Sequence, residues 1–229
     1  ITLRDTISRR ELSEMGITHP QVRSAADPAL SLSPAPDEDA CQYLRQHGLD
    51  PAGRYICFSV RPWKDFDRFE AFSQAADYAR EKYGLETVFM PIEDPTDVEP
   101  SRRAAAGMKH ESHLLPAPDR VELTMAVLRR MKLMCAMRLH ALVFSAAADT
   151  PFLAVSYDIK VKSFMDYVEN PSCCELGEVT ADWLCGEIDR IMADPGAYRS
   201  RSARLRTLEA ENTRAAREML GEALCGKEG

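Results

Sequence analysis

The stretch LMCAMRLHALVFSAAADTPFLAVSYDIKVKSF, residues 133–164, decides how this chain folds. Its opening run, 133–137, is apolar and too short for a helix, so it reads as a buried strand. Arg138, Leu139 and His140 follow at once. Residues 141–148 are small and helix-forming, and Asp149-Thr150-Pro151 ends them. Residues 152–156 are a second apolar strand run, with Tyr157, Asp158 and Lys160 just beyond it. Strand, turn, helix, strand, turn, helix implies parallel βαβ units. Ligands of open parallel sheets sit outside the carboxyl ends of the strands. Two neighbouring strand ends here carry Arg138, His140 and Lys160, so the simplest functional reading is an anion site.

The same alternation extends upstream to Gly53. Residues 54–60 read as a strand. Residues 65–83 read as a helix with Phe66, Phe69, Phe72, Ala76 and Ala79 along one face, closed by Gly84. A strand over 85–92, a short helix over 100–108 and a short strand over 112–115 follow. Residues 119–131 then read as a helix with Asp119 as N-cap. Downstream come a helix over 160–168, a weak strand over 173–176 and a helix over 180–193. The expected fold class is α/β: about six strands in a Rossmann-like, doubly wound parallel sheet with helices on both faces. Ahead of it, residues 5–16 read as a helix with Ser8 and Glu11 at capping-box spacing. A Pro- and Ser-rich linker runs to residue 36, and a helix spans 37–47. Residues 197–224 read as a long charged helix lying across the surface.

Composition narrows the function. The 229 residues are 45% hydrophobic and 28% charged, an ordinary globular balance. A net charge of -7 argues against nucleic acid as the main partner. No apolar run approaches the ~20 residues that span a bilayer. The chain opens Ile1-Thr2-Leu3-Arg4-Asp5, with neither a methionine nor a secretory signal, and reads as a piece of a longer protein. Its seven cysteines are odd in number and contain no C-x-x-C pair. Cys57 and Cys135 fall in strand runs as small hydrophobes. Vicinal Cys173-Cys174 has no framework for a redox pair, and reduced thiols in a cytoplasmic protein fit better.

If the sheet is parallel, Arg61-Pro62-Trp63-Lys64, the acids Glu93, Asp94 and Asp97, Arg138 and His140, and Tyr157, Asp158 and Lys160 all lie along one edge. That many cations on one edge of an acidic chain points to a ligand bearing phosphate, carboxylate or both. Arg138 and His140 would diverge by about 200° on a regular helix. They reach one ligand only if the helix starts near His140, where its N-terminal amides would also meet an anion. Blander readings apply elsewhere. Arg61 taken alone is a solvated or salt-bridged residue. His19, His47, His110 and His113 are structural. Residues 93–99 are a solvated loop, with Asp97 suited to orienting a sugar hydroxyl, and Arg4-Asp5 is a local ion pair. No metal-ligand spacing, P-loop, dinucleotide glycine fingerprint or nucleophile elbow is present.

Taken together, several motifs resemble the polysaccharide pyruvyl transferase family. They are Arg4-Asp5 with Ser8 and Leu12; Ala26-Asp27-Pro28; Arg61-Pro62-Trp63; Met137-Arg138-Leu139-His140-Ala141-Leu142; and Ser156-Tyr157-Asp158 with Lys160. They stand in family order over about residues 1–170. The M-R-L-H-A-L and S-Y-D-x-K elements are the specific ones. The resemblance implies the C-terminal domain of a GT-B-like two-domain fold. Residues 1–30 would close a truncated preceding domain and linker, and 31–229 would form the Rossmann-like domain. This piece alone is expected to be inactive.

The resemblance also implies phosphoenolpyruvate as donor substrate, with no cofactor and no metal. The acceptor would be a sugar of a cell-wall polysaccharide or exopolysaccharide, or of its lipid-linked precursor, met peripherally at the membrane. The product would be a cyclic pyruvate ketal. Arg138 and Arg61 suit the donor's phosphate and carboxylate, with Lys160 assisting and Asp158 near the substrate. His140 suits acid–base work, histidine ordinarily titrating near 6.5. Two other readings stand beside this one: a GT-B glycosyltransferase using a nucleotide sugar, and a non-catalytic glycan-binding domain.

Overall fold

The structure is a computed structural model that describes residues 2–3, 6–17, 22–24 and 27–196, together with 210, 213–218 and 220–221. A two-stranded parallel pair, β1 (Thr2–Leu3) and β2 (Arg23–Ser24), flanks α1 (Thr6–Glu14). After a 3-10 turn at Pro28–Ser31, capped by the Asp27 carboxylate, comes α2 (Asp37–Gln46). The main body then runs β3 (Tyr55–Ser59), α3 (Phe69–Tyr83), β4 (Glu86–Phe89), α4 (Val98–Ala106), β5 (Ser112–Leu114) and α5 (Val121–Arg129). It continues through β6 (Met131–Ala136), α6 (Leu139–Ala147), β7 (Phe152–Ser156), α7 (Ile159–Tyr167), β8 (Cys173–Glu175) and α8 (Ala181–Ala193).

Six strands form one sheet in the order β5-β4-β3-β6-β7-β8, and every pairing is parallel. Counted from β3, that is the 3-2-1-4-5-6 order of doubly wound folds, with the reversal between β3 and β6. The expected α/β class, strand number and pairing of the two strands in 133–156 all hold. Met134 lies opposite Phe152 and Ala136 opposite Ala154.

Side-chain alternation builds a core on each face of the sheet. Tyr55, Cys57, Met134, Ala136 and Ala154 point to one core, shared with α2, α5, α6 and α7. Ile56, Phe58, Leu133, Cys135 and Leu153 point to the other, shared with α3, α4 and α8. Because both faces are covered, β3 and β7 are buried at every position. Full burial of a side chain such as Phe58 contributes on the order of 2–3 kcal/mol.

Element ends differ from the expected ones where local geometry intervenes. Helix α3 starts at Phe69 rather than residue 65, because Lys64 adopts the left-handed conformation (φ 44°) and residues 65–68 turn before the helix. Phe66 nevertheless packs on the second core. Gly84 ends α3 as expected, at φ 64°, where a Cβ would strain the backbone. Helix α5 starts at Val121 with Arg120 as N-cap, leaving Asp119 outside it. Of the helix expected over 197–224, residues 213–218 are helical. The rest of it, except residues 210, 220 and 221, lies outside the described residues, as do Arg4, Asp5, His19 and Ala26. No helix among the described residues is long and apolar enough to cross a membrane.

Candidate functional site

The site grows out of the switch point. Past the last β3–β6 partners, the Met137 amide donates to the Ser59 carbonyl at 2.9 Å. From there the chains diverge. One continues to Arg61; the other becomes Arg138, the extended N-cap of α6 (φ -73°, ψ 125°). No side chain caps α6. Its first amides therefore face the strand ends without a side-chain acceptor, which is the arrangement that receives anions. Helix α7, at the next strand end, differs. The Asp158 carboxylate caps it, accepting from the Lys160 amide at 2.9 Å.

Arg138 is held by a partner that the chain pattern does not announce. Its Nε and Nη2 donate to both oxygens of Asp97, at 2.6–3.1 Å, and Nη1 pairs with Glu93. Asp97 precedes α4 and is fully buried, so it is no solvated loop residue; its Oδ2 also accepts from the Glu93 amide at 3.1 Å. The Arg138 side chain is 12% exposed and that of Glu93 58%. Burial works against the Arg138 charge, but the hydrogen bonds and charge of Asp97, followed by the charge of Glu93, more than offset it. The guanidinium is held above its ordinary pKa. Asp97 thus orients the fork, and Glu93 is the exposed carboxylate at its outer edge.

Arg61 meets the same region from β3. Its Nη1 donates to the Tyr157 hydroxyl at 2.7 Å, and its guanidinium carbon lies 4.5 Å from the Tyr157 ring centroid and 5.2 Å from that of Trp63. The two rings contact each other, with centroids 4.5 Å apart. Tyr157 also lies within electrostatic reach of Arg138. The structure therefore brings Arg61, Tyr157 and Arg138 together. Lys160 is exposed on the first turn of α7. His140 is exposed on the first turn of α6, 5.8 Å from the Phe144 ring, and lines a cleft of about 620 Å³ beyond the ends of β4 and β5. Arg138 and His140 both face the loop that follows β4, Arg138 through Glu93 and Asp97 and His140 beside Asp94.

The sequence puts Asp97, Trp63 and Tyr157 on the carboxyl edge, but does not show that Asp97 holds the Arg138 fork or that the Trp63–Tyr157 pair holds Arg61. Each depends on a contact between distant residues, 41 apart for Arg138–Asp97 and 96 apart for Arg61–Tyr157. Three of the histidines expected to be structural have local partners: His47 bonds the Tyr43 carbonyl, and His110 and His113 lie beside Glu81 and Glu86.

Residues 1–159 match the family model described as polysaccharide pyruvyl transferase, a span that takes in Arg61, Arg138, His140 and Asp158. The chain belongs to the polysaccharide pyruvyl transferase family. Solved structures of similar fold include a glycosyltransferase from Rickettsia africae (TM-score 0.61, 11% identity, 96% of this chain and 63% of that one). Another is the UDP-GlcNAc 2-epimerase of Neisseria meningitidis bound to UDP-GlcNAc (0.64, 10% identity, 96% and 61%). A third is α,α-trehalose 6-phosphate synthase from Burkholderia multivorans (0.56, 14% identity, 100% and 60%). These likenesses show that this pyruvyl transferase domain shares the Rossmann-like fold of GT-B glycosyltransferases and epimerases. The chain spans about three-fifths of the length of those structures. No curated protein matches it significantly.

Proposed function

We propose that this domain holds phosphoenolpyruvate for ketal formation on a sugar of a cell-wall polysaccharide or exopolysaccharide, or its lipid-linked precursor, in the cytoplasm. The observation that carries this reading is the uncapped N-terminus of α6 at the switch point, with Arg138 as its N-cap residue. A small dianion there would meet helix amides and a guanidinium already aimed by Asp97. Glu93 occupies the outer edge of that guanidinium, where the donor's carboxylate or phosphate would displace it. Arg61 adds a second fork, and exposed Lys160 a mobile point charge. Asp158 is assigned to positioning, because its carboxylate already caps α7.

The chemistry then divides between these groups. One acceptor hydroxyl loses its proton as its oxygen bonds to C2 of the enol, and C3 gains a proton to become the methyl group. His140, on the first turn of α6 and open to solvent, is the group proposed to move that proton. The second hydroxyl then bonds to C2 as the C2–O bond to phosphate breaks, and its proton leaves with inorganic phosphate. Charge builds on the departing phosphate, so the fixed cations act most strongly there. No cofactor is needed.

The test is phosphate release by the full-length protein from phosphoenolpyruvate with a glycan acceptor, together with calorimetric titration of phosphoenolpyruvate. The fold also includes an epimerase solved with UDP-GlcNAc, so a nucleotide-sugar transferase is the competing reading. Binding of uridine diphosphate but not phosphoenolpyruvate would favour that alternative.

A further inference from the structure

The donor reading uses the switch point and leaves the large cleft beside it without an occupant. That cleft, about 620 Å³, lies over the ends of β4 and β5 and is walled by the starts of α5 and α6. It falls within the ~300–1,000 Å³ range of small-molecule sites. Its wall is largely apolar, with Ile92, Pro116, Pro118 and Val121 lining it and Phe144 contributing a half-buried aromatic ring. Its charged groups are Asp94 and Asp119, with no lysine or arginine among the lining residues. Both carboxylates are exposed, and neither has an ion-pair partner among the described residues. His140 stands on the rim shared with the donor region. The Thr124 hydroxyl is already committed to the Pro118 and Arg120 carbonyls, which braces the wall opposite α6.

We infer that this cleft is the acceptor subsite and takes a neutral sugar residue of the glycan, through Asp94, Asp119, Phe144 and His140. This inference rests on the pyruvyl-transfer reading for the name of the ligand, but the physical case is separate. A cleft whose fixed charges are carboxylates repels phosphate and carboxylate, so the donor does not belong in it. Unpaired carboxylates are pure acceptors and match a ligand rich in hydroxyl donors. A sugar ring also offers an apolar C–H face, which suits the negative face of an aromatic ring such as Phe144 and an aliphatic wall. The Phe144 ring lies beside the His140 imidazole, so a sugar stacked there brings its hydroxyls toward His140. One side chain thus borders both the hydroxyls and the donor site.

The experiment is saturation-transfer NMR on the full-length protein with the methyl glycosides of glucose, galactose and mannose, each tested alone. Uridine diphosphate and phosphoenolpyruvate serve as competitors. At least one glycoside is expected to receive saturation on its ring C–H protons. The double variant Asp94→Ala, Asp119→Ala should weaken that binding at least tenfold, and Phe144→Leu should weaken it several-fold. Calorimetric affinity for phosphoenolpyruvate should stay within twofold of the parent in all of them. Both aspartates are exposed, so an unchanged melting temperature is expected; Asp119→Asn, which keeps one acceptor oxygen, should give an intermediate loss. If no glycoside receives saturation, or the double variant binds it as the parent does, the inference is overturned. Displacement of the glycoside by uridine diphosphate, with that nucleotide losing affinity in the double variant, also overturns it and makes the cleft a nucleotide site. If glycoside binding follows the variants while phosphate release from phosphoenolpyruvate is absent, the cleft assignment stands and the donor reading fails.

Discussion

Arg138 donates through Nε and Nη2 to both carboxylate oxygens of Asp97, a residue with no solvent exposure that comes from a loop 41 positions earlier. The contact ties the reversal of strand order to the loop after β4. It also sets the angle at which the one arginine at the start of α6 meets the outside.

Asp97→Ala should therefore destabilise the domain as well as impair it. Removing the buried carboxylate leaves a guanidinium of 12% exposure with only Glu93 beside it. Breaking a buried pair costs about 3–5 kcal/mol, and the residual exposure and Glu93 lower the expectation to roughly 2–4 kcal/mol. Urea unfolding of the parent, the single variants and the double variant with Arg138→Ala measures it. A cost below about 0.5 kcal/mol would place Asp97 among ordinary surface residues.

In the full-length protein, Arg138→Ala should lower kcat/KM by on the order of 2–4 kcal/mol, as expected when a charged transition-state contact is lost. Lys160→Ala should cost less, because an exposed ammonium supplies a point charge without a fork. His140→Ala should lower kcat while donor binding stays closer to normal. Steady-state rates with phosphoenolpyruvate, set beside donor titrations, separate the three. An Arg138→Ala protein that binds and turns over donor normally would put the anion site elsewhere.

Glu93→Gln should tighten the donor. Its side chain is more than half exposed and pairs with Arg138 at the edge that the proposed anion would take. Exposed pairs contribute about 0.2–1 kcal/mol, so releasing this one should improve the phosphoenolpyruvate dissociation constant about 2–5-fold. Weaker binding in Glu93→Gln would mean that this carboxylate helps to hold the ligand.

The vicinal thiols should be inert at neutral pH. Burial raises Cys173 to about 11 and Cys174 to about 12, with nearby negative groups adding to the rise at Cys174. Since the thiolate is the nucleophile, alkylation by iodoacetamide near pH 7.5 should run roughly a hundredfold or more slower than for free cysteine. Peptide mapping of labelled protein reads the rate at each site. Labelling as fast as free cysteine would revive a redox role for the pair.

Acid should weaken the contact between α3 and α8. Asp189 accepts from Lys82 and from the hydroxyls of Tyr78 and Tyr83 at 2.7–2.8 Å. The Lys82 bond is the largest cause holding its pKa below the ordinary 3.8, the tyrosine bonds adding to it while burial opposes them. A depressed carboxyl stabilises the fold above its unfolded pKa and loses that contribution as pH falls through its folded one. Between about pH 5 and about pH 2, the parent should lose more stability than Asp189→Asn. Parallel acid titrations by circular dichroism test this; coincident curves would remove Asp189 from the acid response.

The chain pattern alone determined the alternation of strands and helices, the parallel class and the start of α6 near His140, because each rests on residues close in sequence. Short apolar runs ending in polar groups report strand length and strand end directly, and Arg138 and His140, two positions apart with only Leu139 between them, reach one ligand only through a turn that opens a helix. It also placed Arg61, Arg138, His140 and Lys160 along the carboxyl edge, since every strand of a parallel sheet ends there. Only the tertiary structure decided what those side chains meet. The order of strands puts β3 beside β6 and sends β4 outward, and that arrangement brings Asp97 to Arg138, Tyr157 to Arg61 and Asp94 to the cleft that His140 also lines. Lone acids and aromatics in loops carry no periodicity, so local pattern cannot name their partners. Asp97 becomes fully buried only in the folded chain, and its pairing there makes the difference between a free arginine fork and one already half engaged.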